Sequence, residues 1–148
     1  MFEVTEGLMI SDPDAAARGL TGLKALGVRI ALDDFGTGYS SLSQLSRLPV
    51  DILKIAQPFV DDLHHPDGDT FVEAIIRLGQ TLRLTIVAEG IEHLDQADKL
   101  TALGCELGQG YHYAPPLPQP AFHQYIDQHG PRPRPEHPAG TDHQRQPR

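Results

Sequence analysis

The chain has one cysteine, Cys105, among 148 residues. A lone thiol excludes a disulfide framework and a cysteine-rich zinc site, and fits a reducing, cytoplasmic setting. Long apolar runs are also lacking, and nothing approaches the roughly 20 residues that span a bilayer. The opening residues, Met1-Phe-Glu-Val-Thr-Glu6, lack the basic and apolar regions of a secretory signal. A place at the soluble end of a larger membrane protein stays open. Positive charge is scarce, with 12 Lys and Arg against 20 Asp and Glu and a net charge of −8. From Gly130 onward Arg132, Arg134, Arg145 and Arg148 face Glu136 and Asp142, so that segment is +2 and the residues before it carry −10. So acidic a body is a poor binder of nucleic acid polymers, although metal ions let such a surface handle a single phosphodiester. Histidines are present but unpaired at metal-ligand spacing on any convincing helix. His64-His65 falls in a polar loop, and His137 and His143 fall near the end, so no histidine metal centre is expected.

What is present alternates between strand and helix. Phe2–Thr5 reads as a strand. Asp12-Pro13 is an N-cap followed by Pro at the first helical position, and Ala16, Leu20, Leu23 and Leu26 recur at helical spacing until Gly27. Val28–Leu32 reads as a strand running into Asp33-Asp34 and a Phe-Gly-Thr-Gly loop. A short helix is expected from Ser40 or Ser41 to near Pro49, and a strand over Asp51–Ile55. A helix from Asp69 or Thr70 to Leu82, a strand at Thr85–Ala88 and a helix over Leu94–Leu103 closed by Gly104 come next. A short strand near Cys105–Leu107 and a last helix over Gln119–Gln128 complete the series. Repeated alternation with short apolar strands predicts an α/β fold with a parallel sheet and covering helices. Two domain-level segments are expected: residues 1–129, ordered, and residues 130–148, a disordered tail rich in Pro, Arg and His. A complete β/α barrel needs about 250 residues. Five strands are therefore either an open doubly wound sheet or part of a barrel.

Polar residues cluster at strand ends: Glu3 within the first strand, Asp33 and Asp34 after the second, Glu89 after the fourth and Gln109 after the fifth. Lys54 lies inside the third. The C-terminal strand ends of parallel α/β folds form the functional rim, and strands about 4.8 Å apart let such carboxylates share a cation. Carboxylates and an amide suit hard ions such as Mg²⁺ or Mn²⁺, and metals beside a lysine suggest phosphoester hydrolysis. Taken singly, each residue also has a plain structural role. Asp-Asp before Gly-x-Gly is a common turn, a lysine in an apolar strand snorkels to the surface, and Gln109-Gly110 carries little alone. The convergence of these residues on one rim carries the argument.

In combination these segments resemble the EAL family. Glu3-Val-Thr-Glu6 is similar to its E-x-T-E motif, and Asp33-Asp-Phe-Gly-Thr-Gly-Tyr-Ser-Ser41 to its D-D-F-G-x-G-x-S-S motif. Leu48-Pro-Val-Asp-Ile-Leu-Lys-Ile55, Ala88-Glu-Gly-Ile-Glu92 and Gln109-Gly-Tyr111 match three further motifs in order, followed by Pro116-Leu117. The resemblance implies the C-terminal part of a (β/α) TIM-type barrel with about five parallel strands, lacking the N-terminal strands. It implies hydrolysis of cyclic di-GMP to linear pGpG with Mg²⁺ or Mn²⁺. Glu3, Asp33 and Asp34 would be metal ligands, and Lys54, Glu89 and Gln109 catalytic. Glu6 would brace the loop after Asp34, and Glu92 would be a supporting carboxylate. The partners implied are cyclic di-GMP and an upstream GGDEF-type or sensory domain in a longer parent, with a homodimer as one candidate assembly.

The chain also departs from the family. No E-A-L or E-x-L segment precedes Glu3. Ala56 stands where the family has the acid of K-I-D, and Ala114-Pro115 replace a frequent serine and basic residue. The expectations are therefore a working half of a phosphodiesterase, a degenerate domain that binds nucleotide or a protein partner, or a truncated, incomplete fold. In each case the isolated chain is predicted to be inactive. A sugar or phosphosugar enzyme on the same scaffold is a more distant reading.

Overall fold

Five parallel strands lie side by side in the order in which they occur in the chain: β1 (Phe2–Thr5), β2 (Ile30–Phe35), β3 (Ile52–Ile55), β4 (Thr85–Ala88) and β5 (Leu107–Gly108). The structure is a computed structural model and describes residues 1–9, 12–38, 45–65 and 68–130. Sequential order without reversal is the winding of a β/α barrel and lacks the switch point of a doubly wound sheet. The fold is thus α/β, with five strands of a TIM-type barrel and their covering helices.

Strand alternation divides the sheet's side chains between two faces. Val4, Ile30, Leu32, Leu53, Ile55, Ile86 and Ala88 are buried within the hydrophobic core. The connecting helices are α1 (Pro13–Ala25), α2 (Gln57–Asp61), α3 (Gly68–Thr81) and α4 (Leu94–Ala102). They contribute Leu20, Val60, Val72, Ile75, Ile76 and Leu100 to this core. Glu3, Asp33, Lys54 and Glu89 fall on the opposite parity, so one sheet carries its packing on one face and its polar chemistry on the other. Among the described residues no helix is long and apolar enough to cross a membrane.

Local chemistry explains the element ends. Asp12 Oδ1 accepts from Ala15 N at 2.9 Å and caps α1. Gly27, at φ 80°, lets the chain leave α1 through the left-handed region. The second strand begins two residues later than Val28–Leu32 suggests, because the Val28 N–H still bonds Leu23 O at 3.4 Å at the helix exit. It also runs further, taking Asp33 and Asp34 into the strand. The fifth strand likewise shifts to Leu107–Gly108. Helix α2 and the 3₁₀ turns at Glu6–Met9 and Asp62–His64 are too short to give a periodic signal. Most of the helix expected from Ser40 or Ser41, and all but the first residue of the tail expected over 130–148, lie outside the described residues.

The chain divides into two units, Met1–Pro115 and Pro116–Arg148. The second contains helix α5 (Gln119–His129), in which the Tyr125 and His129 rings stack 4.4 Å apart.

At the N-terminal edge of the sheet, Asp51 joins three elements. Its Oδ1 accepts from Lys24 Nζ at 2.6 Å and its Oδ2 from Ile30 N at 2.9 Å. The bond from Lys24 and the Ile30 amide hold the Asp51 carboxyl below its ordinary value. Because the folded-state pKa lies below the unfolded one, the stabilisation is complete above the unfolded value and fades as pH falls through the folded value. Asp51→Ala is expected to cost about 1–2 kcal/mol at neutral pH, a figure discounted for the partial exposure of the pair. Denaturant titrations should show that this deficit narrows in acid, and an equal deficit at every pH would reject the assignment.

Candidate functional site

Lys54 projects from the central strand, and its ammonium meets three carboxylates from three other segments. Nζ lies 3.1 Å from Glu3 Oε1 on β1, 2.8 Å from Asp33 Oδ1 on β2 and 2.6 Å from Glu89 Oε1 just after β4. The lysine side chain is 6% exposed, and those of Glu3, Asp33 and Glu89 are 43%, 23% and 14% exposed. The apolar-strand setting therefore does not send Lys54 out to solvent. Gln109 Nε2 donates to Glu89 Oε1 at 2.6 Å and joins the fifth strand to the cluster.

Asp33 and Asp34 are consecutive, and in a regular strand their side chains would point to opposite faces. Asp34 instead adopts φ 54°, a left-handed conformation that Asp tolerates better than most residues. The β2–β3 register shifts between Leu32 and Phe35 at this point. Carboxylate oxygens of Asp33, Asp34 and Glu89 consequently lie within 4.8 Å of one another. The strand-end placement expected for Asp33 and Asp34 is thus corrected: they belong to β2, and an irregularity inside the strand turns both toward the rim.

Electrostatics follow from one cation facing three anions. Burial opposes charge on Lys54, but its close ion pairs with Asp33, Glu89 and Glu3 prevail and hold its pKa above the ordinary lysine range. Burial raises Glu89 above the ordinary carboxylate value, against the pull of Lys54 and with a further push from Asp33. Burial thus acts oppositely on the two groups, against the lysine charge and in favour of the Glu89 proton, while the neighbouring carboxylates favour the protonated form of Lys54. Asp33 Oδ1 is buried and lies within ion-pair distance of Lys54, yet it accepts no well-angled hydrogen bond. An oxygen-only donor set with surplus negative charge and an under-satisfied buried oxygen fits a hard divalent cation.

Two loops brace this rim. Glu6 is buried, and its Oε1 accepts from Gly36 N at 3.0 Å, fixing the turn that follows Asp34. A Cβ on Gly38 would overlap the Glu6 carboxylate, so only glycine allows that approach. Behind Glu89, Gly90 at φ 69° packs against the Gln57 side chain. The following loop bonds to the fifth-strand loop through Ile91 N to Gln109 O at 3.1 Å and His112 N to Ile91 O at 2.9 Å. Glu92 is exposed, and its backbone N–H is held by Gln96 Oε1 at 2.9 Å. Gln57 and Gln96 are supports that motif reading misses. Gln57 has no pattern to reveal it, whereas Gln96 is a polar residue in line with Leu100 and Leu103 on an otherwise apolar helix stripe.

Replacing Lys54 with Met leaves three carboxylates facing one another. At neutral pH this is expected to cost about 1–3 kcal/mol. The crowded carboxylates then bind protons more tightly in the folded state, so the variant should regain stability as pH falls toward the carboxylate range. Equal denaturation midpoints for Lys54→Met and the native chain at pH 7 would show that the cluster is not electrostatically coupled.

Residues 1–116 match the family model described as the EAL domain. The chain is 49% identical over 119 residues to the bifunctional diguanylate cyclase/cyclic di-GMP phosphodiesterase MucR of Pseudomonas aeruginosa, an alignment that takes in 80% of this chain and 17% of that protein. A solved structure of the PaMucR phosphodiesterase in complex with c-di-GMP superposes with a TM-score of 0.77 at 48% identity, covering 81% of this chain and 49% of that one. The Klebsiella pneumoniae BlrP1 manganese/cy-diGMP complex superposes with a TM-score of 0.69 at 37% identity, covering 74% and 28%. The chain therefore spans about a sixth of the curated MucR sequence and about half of the solved PaMucR chain. With the sequence motifs, the sheet order and these matches in agreement, the chain belongs to the EAL-domain family.

Proposed function

We propose that this chain contributes the C-terminal half of a phosphodiesterase centre that hydrolyses cyclic di-GMP to linear pGpG, in the cytoplasm and within a longer parent. The observation that supports this reading best is the meeting of Glu3, Asp33 and Glu89 on the buried Lys54, with Asp34 and Gln109 at the same rim. Asp33, Asp34 and Glu89 would hold a divalent cation, Mg²⁺ or Mn²⁺, with Glu3 as a further ligand. When bound, such ions neutralise phosphate charge and acidify water.

The residues themselves have distinct tasks. Lys54 stays protonated across the physiological range and so acts as a fixed donor and positive charge beside the scissile phosphate, never as a base. Glu89, shared between Lys54 and Gln109, holds its proton more tightly than a solvent carboxylate does. In this reading it orients the attacking water beside the cation. Gln109 fixes the Glu89 carboxylate in one orientation. Glu6 keeps the turn after Asp34 closed, and Glu92 supports from the exposed side. A neutral lysine would lose all three ion pairs at once, so the protonated form is part of the geometry.

A second reading, a domain that binds nucleotide or a protein partner without catalysis, is favoured by Ala56. It is fully buried directly after β3, where the family motif places an acid. Joining the first half of a solved EAL domain ahead of Phe2 separates the two. The chain alone should show no turnover with Mg²⁺ or Mn²⁺. The joined protein should form pGpG, with Asp33→Asn lowering the rate by about 100-fold or more, the scale of losing one electrostatic anchor. Saturable cyclic di-GMP binding by the joined protein without any pGpG would select the non-catalytic reading.

A further inference from the structure

Among the described residues three polar or charged side chains are buried: Glu6, Lys54 and Gln96. The first two belong to the rim. Gln96 lies on α4, outside it, and a buried amide costs free energy unless its hydrogen bonds are made. Its Oε1 accepts from both Glu92 N at 2.9 Å and His93 N at 3.0 Å, and its Nε2 donates to Val60 O at 3.4 Å.

These bonds complete the anchoring of a short segment. Glu89 N bonds Ile55 O at 3.1 Å and Ile91 N bonds Gln109 O at 3.1 Å. With Gln96 accepting from Glu92 and His93, the backbone donors of residues 89, 91, 92 and 93 are all held, leaving Gly90 as the turn between them. The far end of Gln96 reaches α2, which begins two residues after β3 and therefore three residues after Lys54. Gln57 of the same helix packs against Gly90. One buried amide thus joins the segment that presents Glu89 to the helix that continues from Lys54, and those two side chains meet at 2.6 Å.

We infer that Gln96 is a positioning residue of the rim: its side-chain oxygen fixes the Glu89–His93 segment so that Glu89 meets Lys54 and Gln109. The inference rests on the cation-binding reading of this rim given above. Its acceptor oxygen does the positioning, and the long bond to Val60 O is secondary. The two ends of the amide can therefore be separated. Gln96→Met keeps the volume and removes both ends, whereas Gln96→Glu keeps the acceptor and removes the donor.

The test uses the full 148-residue chain. It follows amide exchange at Glu92 and His93, the NMR resonance of the Gln109 side-chain amide, Mn²⁺ titration and thermal stability. Gln96→Met should lose exchange protection at both amides and move the Gln109 resonance toward that of a free glutamine. It should also weaken Mn²⁺ binding by about 10- to 100-fold, the usual cost of removing a group that orients a ligand. Gln96→Glu should recover protection, resonance and affinity while remaining no more stable than Gln96→Met. If Gln96→Met is less stable but keeps the Gln109 resonance and the Mn²⁺ affinity, or if Gln96→Glu is as impaired as Gln96→Met, the inference fails. A native chain that binds no Mn²⁺ rejects the cation reading instead, and the Gln109 resonance then decides the positioning role alone. Should Gln96→Met not fold, Gln96→Glu against the native chain decides: retained resonance supports the role and a lost one overturns it.

Discussion

The ammonium of Lys54 is the constraint on which the rim depends. A buried lysine among apolar strand residues is costly unless its charge is matched and its hydrogen bonds are made. Here three carboxylates match it, each from a different segment, so the interaction couples strands that backbone pairing joins only to their immediate neighbours. The surplus of two negative charges has the opposite sense. It favours the protonated lysine, adds to the rise that burial gives Glu89, and makes the rim a place where a further cation lowers the electrostatic energy. Structural cohesion and the proposed affinity for a cation have the same source.

Geometry depends on two kinds of local feature, an irregular strand and close glycine contacts. Asp34 in the left-handed region and the register shift beside it let adjacent acids serve one site. Gly38 against Glu6 and Gly90 against Gln57 let loops approach more closely than a side chain would permit. Regular strands with ordinary residues there would deliver the same acids to opposite faces. The acids alone would not make the rim; the departures from regular structure bring them together.

Much of this was legible in the residues. Strand–helix alternation gave the α/β class, and the DDFG run located the rim. Alternation and length leave a doubly wound sheet and part of a barrel both open, because strand order is a tertiary property that no local period records; the EAL resemblance points to the barrel, and the sheet order agrees with it. The residues alone also place Asp33 and Asp34 beyond their strand, since a run from Ala31 to Phe35 broken by two acids reads as a strand followed by a turn. Lys54 was ambiguous for a similar reason: a snorkelling lysine and an inward one have the same neighbours in sequence, and only the opposing carboxylates distinguish them. Gln96 stands on a visible apolar stripe, yet one amide on a helix has many uses until its partners are known, so the residues alone do not reveal its role.

The four partners of the rim are not held equally. Lys54 and Glu89 sit on or beside inner strands, paired on both sides, and are nearly covered. Glu3 sits on β1, which among the described residues pairs with β2 alone and buries only Val4. An edge strand of four residues with one core contact is the part of a sheet that opens most readily. The Lys54–Glu3 contact, the longest of the three, is therefore the one most sensitive to whatever lies against that edge. The solved PaMucR chain is about twice as long as the part this chain matches. Covering β1 would remove water from Glu3, strengthen its pull on Lys54 and bring the least fixed carboxylate under the same restraint as the others. Through Lys54, the position of Glu3 on that strand is therefore coupled electrostatically to Asp33 and Glu89 on or beside the inner strands.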